Sequence, residues 1–201
     1  NPISLLRERL HDLAFTEHPY RHTTIGLLDD IQAMPEHYDY SVEFYDRYYR
    51  PNNSIIVVVG DFDQAALERL VEQYYGDWNP GTFEPTIPAE PVQGSVRTVE
   101  VTWPNATLPL MMIGYHAPAF SDEAIDMPAL DVLSQLLFSQ NAPLFQRLYL
   151  RDQLVDVLSG GAVDHRDPPL FEIVVRVTKP DRVAEVRDAI FAAIERMSRE
   201  P

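Results

Sequence analysis

Six histidines are the side chains here best suited to bind a metal or move a proton: His11, His18, His22, His37, His116 and His165. A hydrolytic zinc site on one helix needs two of them a turn apart with a glutamate between. The patterns are H-E-x-x-H and its inversion H-x-x-E-H, which let both imidazoles reach the ion and the carboxylate reach its water. Neither spacing occurs. Glu17-His18 and Glu36-His37 supply an E-H ending, but the residue three before each glutamate is Ala14 or Ala33. His18-x-x-x-His22, beside Glu17, would place two imidazoles on one face of a continuous helix. Pro19 lies inside it and breaks such a helix, so the stretch reads as a polar loop whose histidines meet solvent or backbone. His165, with Asp164 and Asp167, reads as a solvated hairpin tip rather than a cation site.

Other chemistries find no better support. No G-x-S-x-G is present, and Ser159-Gly160-Gly161 reads as a twist or bulge in a strand rather than a nucleophile elbow. Neither G-x-x-x-x-G-K-[ST] nor G-x-G-x-x-G appears, so nucleotide binding is unsupported. The absence of cysteine excludes disulfides, thiolate metal sites and cysteine nucleophiles, and leaves the compartment open between cytoplasm and periplasm. Asp29-Asp30 and Asp61-x-Asp63 sit at element boundaries, where Asp caps helices or makes turns. A net charge of −15, with scattered Lys and Arg, argues against a nucleic-acid partner. No apolar run approaches the roughly 20 residues of a membrane span, and no signal peptide precedes Asn1-Pro2-Ile3. Catalytic and metal-ligating residues are therefore expected to be none in this chain, and substrate-binding residues are not identifiable.

The elements around these residues follow from hydrophobic period. Ile3, Leu6, Leu10 and Leu13 form one stripe of a helix that Pro19 stops. An irregular stretch follows, with Gly26 a candidate turn residue, and Pro35 suits the first turn of a second helix. There Tyr38, Val42, Tyr45 and Tyr49 recur at helical spacing, which predicts core packing. Ile55 to Val59 is β-branched without alternation, the pattern of a strand buried on both faces. Asp63 is placed to cap a helix whose inner face is Leu67, Leu70, Val71 and Tyr74. Pro80, Pro85, Pro88 and Pro91 mark a linker at 79–95. Beyond it, residues 96–103 alternate as a half-buried strand and 108–116 read as a more apolar one. A helix from Asp126 turns Leu130, Leu133, Leu136 and Leu137 inward, and a shorter one covers 144–150. Strands near 154–162 and 170–177 form a hairpin, the second with Phe171, Ile173, Val175 and Val177 on one face. Val183, Val186, Ile190, Ile194 and Met197 share one side of the last helix. The fold class is α+β, mostly antiparallel strands covered by helices.

Residues 1–78 thus offer three helices and one strand. An apolar strand without neighbours leaves buried backbone groups unpaired, at about 1–3 kcal/mol each. Its partners must come from the second unit, from another molecule or from sequence upstream of Asn1, and the last is the expectation, since Asn1 is not an initiator Met.

One ordered set of motifs identifies a relative. Asn1-Pro2 opens a helix ending in Phe15-x-x-His18-Pro19-Tyr20. Ile25-Gly26 follows, then Tyr48-Tyr49-Arg50-Pro51-Asn52-Asn53, and then Ile55–Val59-Gly60-Asp61-Phe62-Asp63. In order and spacing this resembles the zinc peptidases of the pitrilysin/insulinase family, close to their bacterial processing-peptidase-like members. The second part resembles the domain that follows, with Leu144-Phe145-Gln146-Arg147-Leu148 at a short helix before a β-hairpin.

The resemblance implies a clamshell of two related halves, each of two α+β sandwich domains, with peptides cleaved in the enclosed chamber. Zinc would be held by H-x-x-E-H and a downstream glutamate, with the motif's glutamate as general base. Both would lie upstream of Asn1; Glu8 is the only carboxylate placed to be mistaken for the third ligand. Residues 1–78 would close a first, peptidase domain and 96–201 would open a second, related one. Zinc would belong to the intact parent, none being bound by this chain. The expected partners are peptide substrates and a second homologous half, in the same chain, a homodimer or a heterodimer. In the family's partner half an Arg and a Tyr help bind substrate and polarise the scissile carbonyl; Tyr149 and Asp156 stand at those positions here. The implied function is that of an inactive internal fragment of a zinc-dependent endopeptidase or oligopeptidase. The alternative is a non-catalytic scaffold or partner half of the same family.

Overall fold

Leu170–Val177 (β3) alternates its side chains between two faces and forms the centre of an antiparallel sheet. The computed structural model describes residues 1–82 and 86–199. On one side β3 pairs with Leu110–His116 (β1), Ile113 opposite Ile173; on the other it pairs with Val155–Gly161 (β2), Gly160 opposite Ile173. The strand order is β1-β3-β2, and β2 and β3 form the expected hairpin, with an irregular register between Val155 and Val157. Helices complete an α+β architecture.

The chain divides into two compact units, one of residues 1–23 with 88–201 and one of residues 24–87. This grouping by contact cuts across the boundaries at 78 and 96 read from the sequence. The first helix, Pro2–Ala14 (α1), packs on β1 and so joins the sheet that follows it by a hundred residues.

The larger unit has one principal core. Phe171, Ile173, Val175 and Val177 of β3 meet Leu137 and Phe138 of Asp126–Phe138 (α5) and Val186, Ile190 and Ala193 of Val183–Arg199 (α7). Val183, Ile194 and Met197 pack at its margin, so the last helix buries the stripe predicted. Each fully buried Val, Ile, Leu or Phe of this core contributes about 1.5–3 kcal/mol. Leu136 departs from expectation and faces outward, while Met127 is buried at the other end of α5. Pro143–Phe145 (α6) continues through Gln146–Arg151 as a π-helical turn, placing Leu144 and Leu148 in the core. The opposite face of the sheet carries α1, with Leu10, Ala14, Phe15 and Tyr20 gathered on Leu170.

Residues 96–103, expected to be a strand, run without ladder pairing. Arg97 instead donates from Nη1 to the Leu13 and Ala14 carbonyls at 2.8 and 3.4 Å, a cation at the C-terminal end of α1.

The smaller unit holds Leu28–Ala33 (α2), Tyr38–Tyr48 (α3) and Gln64–Tyr75 (α4). Asp63 caps α4 as expected, its Oδ1 accepting from Ala66 N at 2.6 Å. Two expectations fail here. Ile55 to Val59 is neither paired nor buried, with Ile55 90%, Val57 78% and Val59 92% exposed. Tyr38, Tyr45 and Tyr49 on or next to α3, and Leu70 and Tyr74 on α4, are exposed as well. The cause is common to both: among the described residues of this unit no second strand or sheet layer exists for these apolar faces to cover. Of the proline-rich stretch 79–95, Pro85 lies outside the described residues.

Candidate functional site

Polar and aromatic side chains of the larger unit gather around the turn after α1. Pro19 prevents α1 from continuing, and Pro19–Arg21 forms a single 3-10 turn between His18 and His22. The two histidines consequently do not share a helix face. His22 is exposed beside its neighbour's carbonyl, while His18 is 4% exposed, under the rings of Phe15 and Tyr20. The burial of His18 is a correction to the polar loop expected from sequence. Its neighbours supply the reason: Phe15 stacks edge-on with both Tyr20 and His116 and closes an aromatic roof.

Backbone groups of this turn are held by side chains. Glu90 accepts from the N–H groups of Thr16, Glu17 and His18 at 2.7, 2.9 and 3.0 Å and from Thr16 Oγ1 at 2.8 Å. Desolvation pushes its carboxyl up, but the three N–H donors and the hydroxyl outweigh it and bring the pKa down to about 2. His18 Nδ1 accepts from Tyr20 N–H at 3.1 Å. His18 Nε2 has no hydrogen-bond partner among the described residues and lies 3.8 Å from Asp167 Oδ2. Asp167 thus belongs to the hairpin tip as expected, but the tip is not simply solvated: His165 lies against the Tyr20 ring.

On the adjoining sheet face, Glu172 of β3 receives Arg7 Nε on one carboxylate oxygen and His11 Nε2 on the other, at 2.9 and 2.8 Å. Burial raises the Glu172 pKa, but hydrogen bonds from His11 and Arg7 reverse this and leave it lowered; the His11 pKa is raised, chiefly by the same hydrogen bond. Sequence spacing gave no signal for this trio, since Glu172 is remote in the chain from both α1 residues. Alternation along β3 did place Glu172 on the face opposite Phe171 and Ile173.

Tyr149 and Asp156 are not brought together as a polar pair. Tyr149 stacks on Phe145, ring centroids 4.6 Å apart, and Asp156 is engaged bidentately by Arg176 at 2.7 and 2.8 Å. The Arg176 guanidinium holds the Asp156 carboxyl below its ordinary value. Glu8 lies on α1. Among the described residues, no group of three or more His, Asp or Glu side chains is arranged to hold a metal ion, and no helix is long and apolar enough to cross a membrane.

The polar groups of this α+β unit hold its own turns and strands. The chain belongs to the family described as the peptidase M16 inactive domain, whose model matches residues 38–201. The pitrilysin-like resemblance read from the motifs holds at this family level. Over 99% of its length the chain is 29% identical to a Helicobacter pylori protein named zinc protease PqqE, covering 45% of that protein. It also superposes on the crystal structure of a protease from Helicobacter pylori, with a TM-score of 0.84 at 28% identity, over 99% of this chain and 48% of that one. A peptidase M16 inactive domain from Pseudomonas fluorescens shares the fold, with a TM-score of 0.73 at 17% identity, over 100% of this chain and 48% of that one. The chain thus spans about half the length of these relatives.

Proposed function

We propose that this chain is an internal stretch of a zinc-dependent endopeptidase or oligopeptidase that cleaves peptides in a chamber between two related halves. In this reading residues 1–78 close a first domain, 79–95 link, and 96–201 open a second. The observation that carries it is the near end-to-end likeness to a protein named a zinc protease, within a matched peptidase family. The unpaired, exposed Ile55 to Val59 segment supports it, since such a strand belongs inside a larger sheet.

The zinc ligands and the general-base glutamate would lie in the rest of the parent, where the metal would activate a water for attack on the scissile carbonyl. This chain would contribute wall and linker, and its partners would be peptides and a second homologous half. Its acidic balance argues against a nucleic-acid partner.

Zinc titration followed by calorimetry is the direct test. The chain is expected to bind no stoichiometric zinc, and tight one-to-one binding would overturn the assignment of the metal to other sequence. The matched family's description as inactive favours a second reading, a scaffold or partner half without a working metal motif. The roughly one hundred residues preceding Asn1 in the parent gene, about one domain's worth, discriminate the two. H-x-x-E-H followed by a downstream Glu supports the peptidase, and its absence supports the scaffold.

A further inference from the structure

The two rings flanking Tyr20 make unequal demands for protons. His11 Nδ1 lies 2.8 Å from the Tyr20 carbonyl oxygen, which can only accept. His11 Nε2 lies 2.8 Å from Glu172 Oε1. Arg7 donates to the other Glu172 oxygen, which favours the ionised carboxylate, so this oxygen also accepts. Satisfying both contacts requires a proton on each ring nitrogen, hence an imidazolium. A neutral His11 can keep one of the two bonds and must present a lone pair to an oxygen at the other.

His18 does the reverse. Its Nδ1 accepts from the Tyr20 N–H, which places the ring proton on Nε2. The Tyr20 residue is thus gripped through its carbonyl by a cationic histidine on α1 and through its N–H by the Nδ1 lone pair of His18 on the turn. The link from the turn runs on through His11 to β3, so three elements meet at one titrating ring.

We propose that this seam is a proton-gated clasp, in which the second proton on His11 fastens the turn at residues 15–22 and the C-terminal half of α1 to the sheet. Loss of that proton to solvent releases Tyr20 or Glu172 and loosens the turn. The clasp goes beyond the peptidase reading and does not depend on it. The charged and titratable groups facing His11 are Arg7 on its own helix, which opposes the second proton, and Glu172 on β3, which favours it and prevails. Behind Tyr20 and Phe15 stand His18, His116 and His165, with Asp167 beside His18.

The sign follows from the raised His11 pKa. The clasp is complete from the open-state value of 6.5 down to the acid range in which Glu172, its pKa lowered, takes up a proton. It is lost as pH rises through the higher closed-state value, closure weakening by up to about tenfold per pH unit between the two His11 values. Ring 15N chemical shifts of His11 in the 201-residue chain read the proton count directly. Amide exchange of residues 15–22, corrected for its intrinsic base catalysis, reads the closure. Two ring protons on His11 persisting above pH 6.5, with corrected protection falling over the same pH range, are the expected results. Glu172→Gln, nearly isosteric, should drop the His11 midpoint and flatten the protection profile. A singly protonated His11 ring at pH 6 in the unmodified chain overturns the proposal. So does protection unchanged across the titration, and the unmodified chain suffices for both readouts.

Discussion

Glu90 and Gln153 show how much single backbone contacts carry in this chain. Glu90 satisfies three consecutive N–H groups of the turn that follows α1. Because its pKa is lowered, its contribution is present above pH 4.5 and is lost as pH falls through about 2. Glu90→Gln should cost about 1 kcal/mol at neutral pH, below the usual range for hydrogen bonds to charged groups because the site is partly solvated. Denaturation of wild type and variant at pH 7 and pH 2 should show the gap closing at the acid end. Gln153, between the π-helical turn and β2, holds φ at +51°. That left-handed conformation costs a non-glycine residue about 1–2 kcal/mol, whereas glycine adopts it freely with an entropic cost of about 0.5–1 kcal/mol. Gln153→Gly is therefore expected to stabilise by roughly 0.5 kcal/mol, read as a higher melting temperature. A lower one would mean that the Gln153 side chain has a role beyond its backbone.

Among elements, β2 and the Ile55 to Val59 segment are opposite cases of a strand's needs. β2 is held against α5 by close approach: a Cβ added at Gly160 would sit 2.4 Å from Phe138 Cε2. Ser134 Oγ also donates to the Gly160 carbonyl. Gly160→Ala should cost about 1–3 kcal/mol by overpacking, measurable in urea. Gly161→Ala is the control, since its nearest atom is Ser134 Oγ at 3.7 Å. The apolar segment before Gly60 has no such neighbour and keeps its ladder groups unpaired. An uncharged, β-branched strand open along its edges pairs with other chains. The isolated chain should therefore self-associate with rising concentration in sedimentation velocity, and Val57→Lys should reduce that association without lowering thermal stability. An unmodified chain that stays monomeric at high concentration would count against the missing-sheet reading.

At the scale of the whole molecule, the core of the larger unit was legible in the sequence and most of the polar cluster was not. Period 2 along β3 and period 3.6 along α7 named their buried faces correctly, because each depends only on residues a few positions apart. The motif string from Asn1 to Asp63 reached the family for a similar reason, its information lying in local order and spacing. The same local rules misplaced Tyr38, Leu70 and the segment Ile55 to Val59. Apolar pattern records which faces are fit for burial, while burial itself needs a covering layer. The amino-acid sequence by itself determined the α+β class, the hairpin, the helix stripes and the lack of an H-x-x-E-H motif. Only the tertiary structure decided that α1 packs on the later sheet, that Glu90 fills the turn at residues 16–18, and that His11 meets Glu172. Those contacts join residues 72 to 165 positions apart, and no periodicity in a chain reports which distant side chains folding will bring within hydrogen-bond reach.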